Sequence, residues 1–535
     1  MIGSAQRKAG IVYTPAIVAT AITQWAIRAP TDVILDPSAG RGIFLDEARE
    51  RLRALGARST KPQLIGVEKD ASVARDLSMT LGNDAAIITR DFMSIRRDDL
   101  VRDINVVLGN PPYVRHHNLS ARSVERAARA VEGHGLSRTG NYWAYFVLHS
   151  IQLLAPGGRL ALVLPGSVVH GGYSGTVRKA LQRWFCRITA VFINECVFPG
   201  VEEETIIVLA ETKRFVAASE CDVRIGTQSI TSLSLSETAL CSRTRALRSG
   251  ESWVRGILTD DENDVFSRYA ATYERLERFA TIRIGTVTGA NRFFIRTVDD
   301  LEMLPLDCWR MLISKTSHLR GARLRDADVT ELSLEGARVY AATLANCSLR
   351  SARVRDFVAD GIALGIHRRA KCCVRQPWYA IQFNAAPHAF LTYMNGRSPA
   401  IVVNDTALSC TNTLHALYMK KRHSVRALAV GFLTTLAQLA AEIEGRSYGG
   451  GVLKLEPSEA SRIPVPMVRL RNDDLDRLDA LRRSGDDGQR FADKVCFGRR
   501  DRDGLDILKT ALTRLRDRRW LRHDTWRNGS DVLER

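Results

Sequence analysis

The chain has 535 residues, too many for one hydrophobic core and enough for roughly two to four domains. Hydrophobic residues make up 45% and charged residues 25%, proportions ordinary for a soluble globular protein. The charge balance is less ordinary: 77 lysines and arginines against 59 aspartates and glutamates leave a net +18, which suggests a polyanionic partner such as nucleic acid, with an arginine-rich proteome as the plainer explanation. Ten cysteines are scattered without a Cys-x-x-Cys pair, and no secretory signal opens the chain, so reduced thiols in a cytoplasmic protein are expected. The most apolar stretch, 427–441, is broken by Thr434, Thr435 and Gln438; it is too short for a bilayer and reads as one buried helix, with no membrane contact.

From about residue 10 to 211, short β-rich runs alternate with helical patterns. The runs are 33–36, 64–67, 86–89, 104–108, 160–164, 188–193 and 205–209. Between them lie spacings such as Ile43, Phe44, Leu45, Ala48, Leu52 and Leu55, one face of a helix. Such alternation predicts a parallel sheet covered on both faces. Residues 141–155 read as a helix stopped by Pro156-Gly157-Gly158. The segment 114–138 holds five arginines and three histidines with few apolar anchors, and reads as a mobile loop closing on DNA or as a merely solvated one. From 212 to 256 the pattern weakens into a connector. Residues 257–466 are mixed, and 467–535 carry charges of both signs on a helical period, with Leu475, Leu478 and Leu481 as its apolar positions.

The chemistry collects at predicted strand ends. Asp36-Pro37-Ser38-Ala39-Gly40-Arg41-Gly42 closes the first run and opens a helix, where glycines let a ligand approach the backbone. It is not Gly-x-Gly-x-x-Gly, which disfavours a dinucleotide. Glu68 ends the second run, well placed for the hydroxyls of a ribose, and Asp91 ends the third. Asn110-Pro111-Pro112-Tyr113 ends the fourth. Each proline fixes φ and lacks an N–H, so neither can continue a ladder. The Asn110 amide and the Pro111 carbonyl are left as acceptors beside the flat Tyr113 ring, a set suited to a planar exocyclic amine. A plain strand-to-turn junction with Tyr113 in the core is the competing reading. His116 and His117 are adjacent, a poor metal spacing, and no metal is implied.

This order of motifs resembles the N6-adenine-specific DNA methyltransferases, the TaqI-like class of restriction–modification type above all, over residues 10–466. Gly10-Ile11-Val12-Tyr13-Thr14-Pro15 looks like the family's N-terminal cofactor motif, Asp36 to Gly42 like its glycine-rich motif, and Asn141-Tyr142-Trp143-Ala144-Tyr145-Phe146 like a later one. Val197-Phe198-Pro199 looks like the motif whose phenylalanine stacks on a flipped base. Thr288-Gly289-Ala290-Asn291-Arg292-Phe293-Phe294 and Tyr448-Gly449-Gly450-Gly451 resemble recognition-domain segments. The resemblance implies an α/β fold: a Rossmann-like, doubly wound S-adenosyl-L-methionine-dependent domain over 1–255, a mixed α/β target-recognition domain over 256–466, and a basic helical tail over 467–535. It implies a cofactor site of Tyr13, Thr14, Pro15, Asp36, Ala39, Gly40, Gly42, Glu68, Asp91 and Phe146, with Glu68 on the ribose, Asp91 on the adenine amine and Phe146 on the ring. The catalytic set would be Asn110, Pro111, Pro112, Tyr113 and Phe198. Arg115, Asn291, Arg292, Lys315, Arg320 and Arg375 are candidates for touching duplex DNA. A monomer is expected, with any restriction endonuclease encoded separately, since the pattern begins near residue 10. A methyltransferase acting on RNA or a protein glutamine amide, and a non-catalytic DNA-recognition subunit, remain as alternatives.

Overall fold

The computed structural model describes residues 14–58, 63–170, 172–198, 204–248, 251–344, 347, 349–420, 422–448, 451–498 and 502–527, with side chains to 521. They form two compact units. The first runs to Thr259 and takes in Arg446–Gly451 and the chain from Asp517; the second comprises Asp260–Gly445 and Val452–Arg516. The residues of the 467–535 tail divide between the two at 516/517.

In the first unit, α1 (Ala16–Ala26) precedes β1 (Ile34–Asp36), α2 (Ile43–Ala54), β2 (Leu64–Glu68), α3 (Ala71–Leu81), β3 (Ala86–Thr89) and β4 (Ile104–Gly109). Then come α4 (Ala121–Ala130), α5 (Tyr142–Leu153), β5 (Leu154–Pro165), α6 (Tyr173–Trp184), β6 (Phe185–Ile193), β7 (Thr205–Lys213), β8 (Asp222–Gln228), α7 (Glu237–Arg243) and β9 (Thr244–Ala246). One nine-stranded sheet runs β3-β2-β1-β4-β5-β7-β6-β8-β9. Its central strands are buried along nearly their whole length, which is why they read as unbroken apolar runs rather than alternating ones. Val106 and Leu108, two apart on β4, face one apolar cluster with Val18 and Ile22 of α1 and Phe44, Leu45 and Leu52 of α2.

The sheet is mixed, not parallel throughout. β7 lies between β5 and β6 and runs antiparallel to both. A parallel β6–β7 pair would need a crossover, and the short 194–204 connection suits an antiparallel return. Three further expectations change. The 212–256 segment is no mere connector: β8 pairs with β6 and β9 with β8, extending the sheet. Pro156-Gly157-Gly158 does not stop α5, which ends at Leu153; β5 starts at once, and the triplet fills an irregularity where its pairing with β4 jumps from Leu154 to Arg159. The 114–138 loop contains α4, an ordered helix capped by the Ser120 hydroxyl.

The second unit holds a five-stranded sheet ordered Ala280–Ile284, Leu414–Met419, Ala389–Thr392, Ile401–Asn404, Arg323–Leu324, and a smaller four-stranded one. Phe293, Phe294, Phe357 and Ile381 anchor a separate apolar cluster. The apolar 427–441 stretch is two buried helices, Val425–Phe432 and Thr435–Glu444, bent by 73° where the Thr434 hydroxyl caps the second. Among the described residues no single helix is long and apolar enough to cross a membrane. Asp479, on the helix Asp474–Arg483, accepts the Ala322 and Arg323 amides at 2.8 and 3.0 Å, which ties this part of the tail to a sheet strand. Cys308 and Cys347 are joined by a disulfide, so the expectation of reduced thiols fails for that pair.

Candidate active site

β1 and β4 are neighbours where the strand order reverses, with β2 and β3 beyond one and β5 beyond the other. Connections leave the sheet in opposite directions at such a point, and the carboxyl ends of the two strands border a crevice. Asp36 ends β1, Gly109 ends β4 and Asn110 follows it directly. Gly109 has φ 151°, and a Cβ there would stand 2.8 Å from Asp36 Oδ1, so any side chain would displace that carboxylate. Asp36 Oδ1 accepts the Ser38 N–H at 3.0 Å, while Oδ2 is buried without a partner. Burial, opposed by the Ser38 amide and reinforced by the nearby Glu68 charge, pushes the Asp36 carboxyl up to about 7.

The turn after β1 wraps around the tip of β2. Gly40 and Gly42 take left-handed φ values of 52° and 87°, and a Cβ on Gly42 would meet Leu77 Cδ1 at 2.3 Å. The Ala39 amide donates to the Val67 carbonyl at 3.0 Å and the Gly40 amide to Glu68 Oε2 at 3.1 Å. Glu68 Oε1 accepts the Asp70 amide at 2.9 Å. Each Glu68 oxygen therefore keeps a lone pair for a further donor.

Asn110 is held from two sides. Its Nδ2 donates to Thr14 Oγ1 at 3.2 Å, and its carbonyl accepts the Ser38 hydroxyl at 3.1 Å. Its Oδ1 is buried with no partner. Pro15, beside Thr14, precedes the first residue of α1. Pro111 is buried, and Pro112 and Tyr113 are half-buried. Asp91 lies just past β3 and caps the turn 92–94 through the Met93 amide at 3.1 Å. Phe146 comes to the same place: its ring lies 5.0 Å from Phe92 and 5.1 Å from Tyr142. The Tyr142 hydroxyl donates to Asp91 Oδ1 at 3.2 Å, and Arg126 of α4 donates to Asp91 Oδ2 at 2.6 Å. Thr14, Asp36, Ala39, Gly40, Gly42, Glu68 and Asn110 thus form one connected set, with Asp91 and Phe146 in a second, aromatic group. No motif or spacing singles out Arg126, which sits in the segment expected to be a loop.

Phe198 is only 2% exposed and belongs to the apolar cluster under β1 and β4. Its ring stands edge-on to Tyr113, centroids 6.4 Å apart at 79°, rather than as a facing plate. Arg518, from the tail, reaches Asn194 Oδ1 at 3.2 Å and pairs with Glu204, so it grips both flanks of the segment carrying Phe198. Tyr13, Pro199, Gly449 and Gly450 lie outside the described residues.

The DNA candidates are scattered. Arg115, Arg292 and Lys315 are exposed. Asn291 accepts the Thr288 hydroxyl within its own turn. Arg375 donates to the Val287 carbonyl at 2.6 Å and Arg320 pairs with Glu331 and Glu335, so both already serve local structure.

The two groups together fit S-adenosylmethionine on chemical grounds: carboxylate acceptors at Glu68 in the first and Asp91 in the second, glycines for close backbone approach, and an orphaned carboxylate oxygen on Asp36 in a site that would take a cationic ligand.

Residues 3–221 match the family described as N-6 DNA Methylase, and residues 250–495 match the C-terminal domain of Type II methyltransferase M.Eco57I. The chain is 26% identical over 87% of its length to Type II methyltransferase M.XamI of Xanthomonas campestris pv. amaranthicola, covering 87% of that protein. It is 19% identical over 85% of its length to M.AccI of Acinetobacter calcoaceticus, covering 85% of it. Among solved structures, the Type IIL restriction-modification enzyme MmeI in complex with DNA aligns with 94% of this chain and 71% of its own, at 12% identity and a TM-score of 0.52, a likeness of fold. With an N-6 DNA Methylase match over its first part, a Type II methyltransferase match over its second and relatives alike along most of its length, the chain is an adenine-specific DNA methyltransferase of restriction–modification type, with S-adenosylmethionine as its methyl donor.

Proposed function

We propose that this enzyme methylates an adenine flipped out of duplex DNA, and that Asn110 Oδ1 and the Pro111 carbonyl hold the N6 amine. The observation carrying the reading is the buried Asn110 Oδ1, which has no partner while Nδ2 of the same amide is engaged by Thr14. An oxygen withdrawn from water without a partner is costly, and an incoming amine relieves that cost. When bound, S-adenosylmethionine supplies a methyl group on a sulfonium. The N6 lone pair is delocalised into the purine ring and is a poor nucleophile. Two acceptors on the amine favour a more tetrahedral nitrogen and aim its lone pair, so Asn110 and Pro111 act by positioning and electrostatics. No covalent intermediate is required.

Glu68 holds the ribose hydroxyls, Asp91 the adenine amine and Phe146 the ring, while Thr14, Pro15 and the Gly40 backbone line the methionine end. Extruding the base costs a few kcal/mol, and stacking returns roughly 1–3 kcal/mol per aromatic face. Tyr113 and Phe198 supply those faces. Two van der Waals separations of about 3.5 Å need roughly 7 Å between parallel rings, so Phe198 turns from its edge-on position when the base enters. The second unit reads the DNA sequence. The enzyme acts as a monomer and protects its site from a separately encoded endonuclease.

The test is transfer of labelled methyl groups to duplex oligonucleotides, followed by methylome sequencing of DNA from expressing cells. Asn110→Ala should bind cofactor normally and lose about 10²–10³-fold in turnover. Full turnover in that variant would remove Asn110 from the reaction; label entering protein or RNA but no adenine in DNA would overturn the acceptor.

A further inference from the structure

The chain after Tyr113 turns back toward the Asp91 group. The Val114 carbonyl accepts the Tyr142 amide at 2.9 Å, and the His116 amide donates to Asn141 Oδ1 at 3.3 Å. This stitching delivers α4, whose Ser120 hydroxyl caps its first turn. Only Ala127 of α4 is buried, and Arg129 pairs with Glu125 on the same helix. Arg126 alone reaches Asp91 from this helix, at 2.6 Å.

We propose that Arg126 is a positioning residue for the cofactor: it fixes the rotation of the Asp91 carboxylate so that an oxygen is presented to the adenine amine. The inference rests on the reading of Asp91 as the acceptor of that amine. A carboxylate turns readily about its last bond, a broad two-fold torsion, and a freely turning acceptor loses orientational entropy on binding. Asp91 is pinned at both oxygens: the Met93 amide and Tyr142 hydroxyl hold Oδ1, and Arg126 holds Oδ2. Oδ2 then retains one lone pair. Phe92, Phe146 and Tyr142 stand around the carboxylate as the apolar wall of that position. The Arg126 and Asp91 side chains are 39% and 22% exposed, so the pair is too wet to add much to stability, and its contribution is direction.

Binding of S-adenosylhomocysteine to the full chain, measured by calorimetry, tests this. Arg126→Gln should weaken binding about tenfold, the order of the charge-assisted hydrogen bond that a misdirected Asp91 no longer makes to the amine, with the thermal midpoint and the turnover at saturating cofactor unchanged. Arg126→Lys should recover part of the loss. In a double-mutant cycle, Arg126→Gln should add nothing to Asp91→Asn. The 6-oxo analogue, S-inosylhomocysteine, presents an acceptor in place of the amine; wild type should reject it, and Arg126→Gln should narrow that discrimination. Unchanged binding in Arg126→Gln, losses that add to those of Asp91→Asn, or equal losses for both compounds would each overturn the role of Arg126. A wild-type protein that binds S-adenosylhomocysteine tightly but is indifferent to Asp91→Asn would instead overturn the reading of Asp91.

Discussion

The Asp36 carboxyl gives the sharpest test of the site. It is fully buried, has one oxygen without a partner, and has its pKa pushed up from 3.8 to about 7. Between about pH 4 and 7 the native protein therefore keeps a proton that the unfolded chain has released. Stability contributed by this group falls as pH rises through that window, by about 1.4 kcal/mol per pH unit, and levels off above 7. Asp36→Asn keeps the oxygen that accepts the Ser38 amide and removes the charge. Between pH 5 and 7 the variant should gain about 3 kcal/mol on wild type, two pH units of that slope. Urea unfolding midpoints of both proteins without cofactor, at pH 5, 6, 7 and 8, give the difference directly, because other carboxylates cancel. A difference constant across this range, or one in which wild type gains as pH rises, would mean that the carboxylate is solvated or paired and that the reasoning fails. At every pH the variant should also bind cofactor less well than wild type does at pH 8, since it lacks the negative charge.

Phe198→Leu keeps an apolar side chain in a site where volume-conserving swaps cost under about 1.5 kcal/mol. It should still raise KM for DNA about tenfold through lost base stacking, and leave cofactor affinity alone; steady-state kinetics unchanged in both parameters would return Phe198 to the core. Arg518→Met removes the guanidinium paired with the buried Glu204, the two side chains being 12% and 6% exposed. Breaking such a pair from one side costs about 3–5 kcal/mol, and adding Glu204→Gln should recover much of it. The double variant, refolded and stable, should show reduced extrusion of a target-site 2-aminopurine by fluorescence, because Asn194 and the residue-204 end of the Phe198 segment are no longer held together; a signal equal to wild type would confine Arg518 to stability.

The sheet's first four strands were legible because buried strands read as apolar runs, and the residues at their ends, Asp36 and Glu68 as last residues and Asp91 and Asn110 just beyond, were legible because acids and amides end such runs abruptly. β7's antiparallel course was not, since direction is a property of the connection and not of the run. β8 was not legible although Val223 and Ile225 alternate with polar neighbours, because the surrounding serines, threonines and arginines dilute the pattern. Arg126 and Arg518 were illegible for a deeper reason. Each makes its defining contact with a residue far away in sequence, Asp91 in one case and Asn194 and Glu204 in the other. Nothing local distinguishes either from the many arginines of a chain with a net +18. A motif is local because its geometry is set within one turn or one strand end. The groups that orient the motif need only approach from the right side, so their positions along the chain carry no spacing rule. In this protein the residues at the strand ends carry such a local signal, whereas Arg126 and Arg518 carry none, and their contacts exist only once α4 and the residues from 517 onward are folded within the first unit.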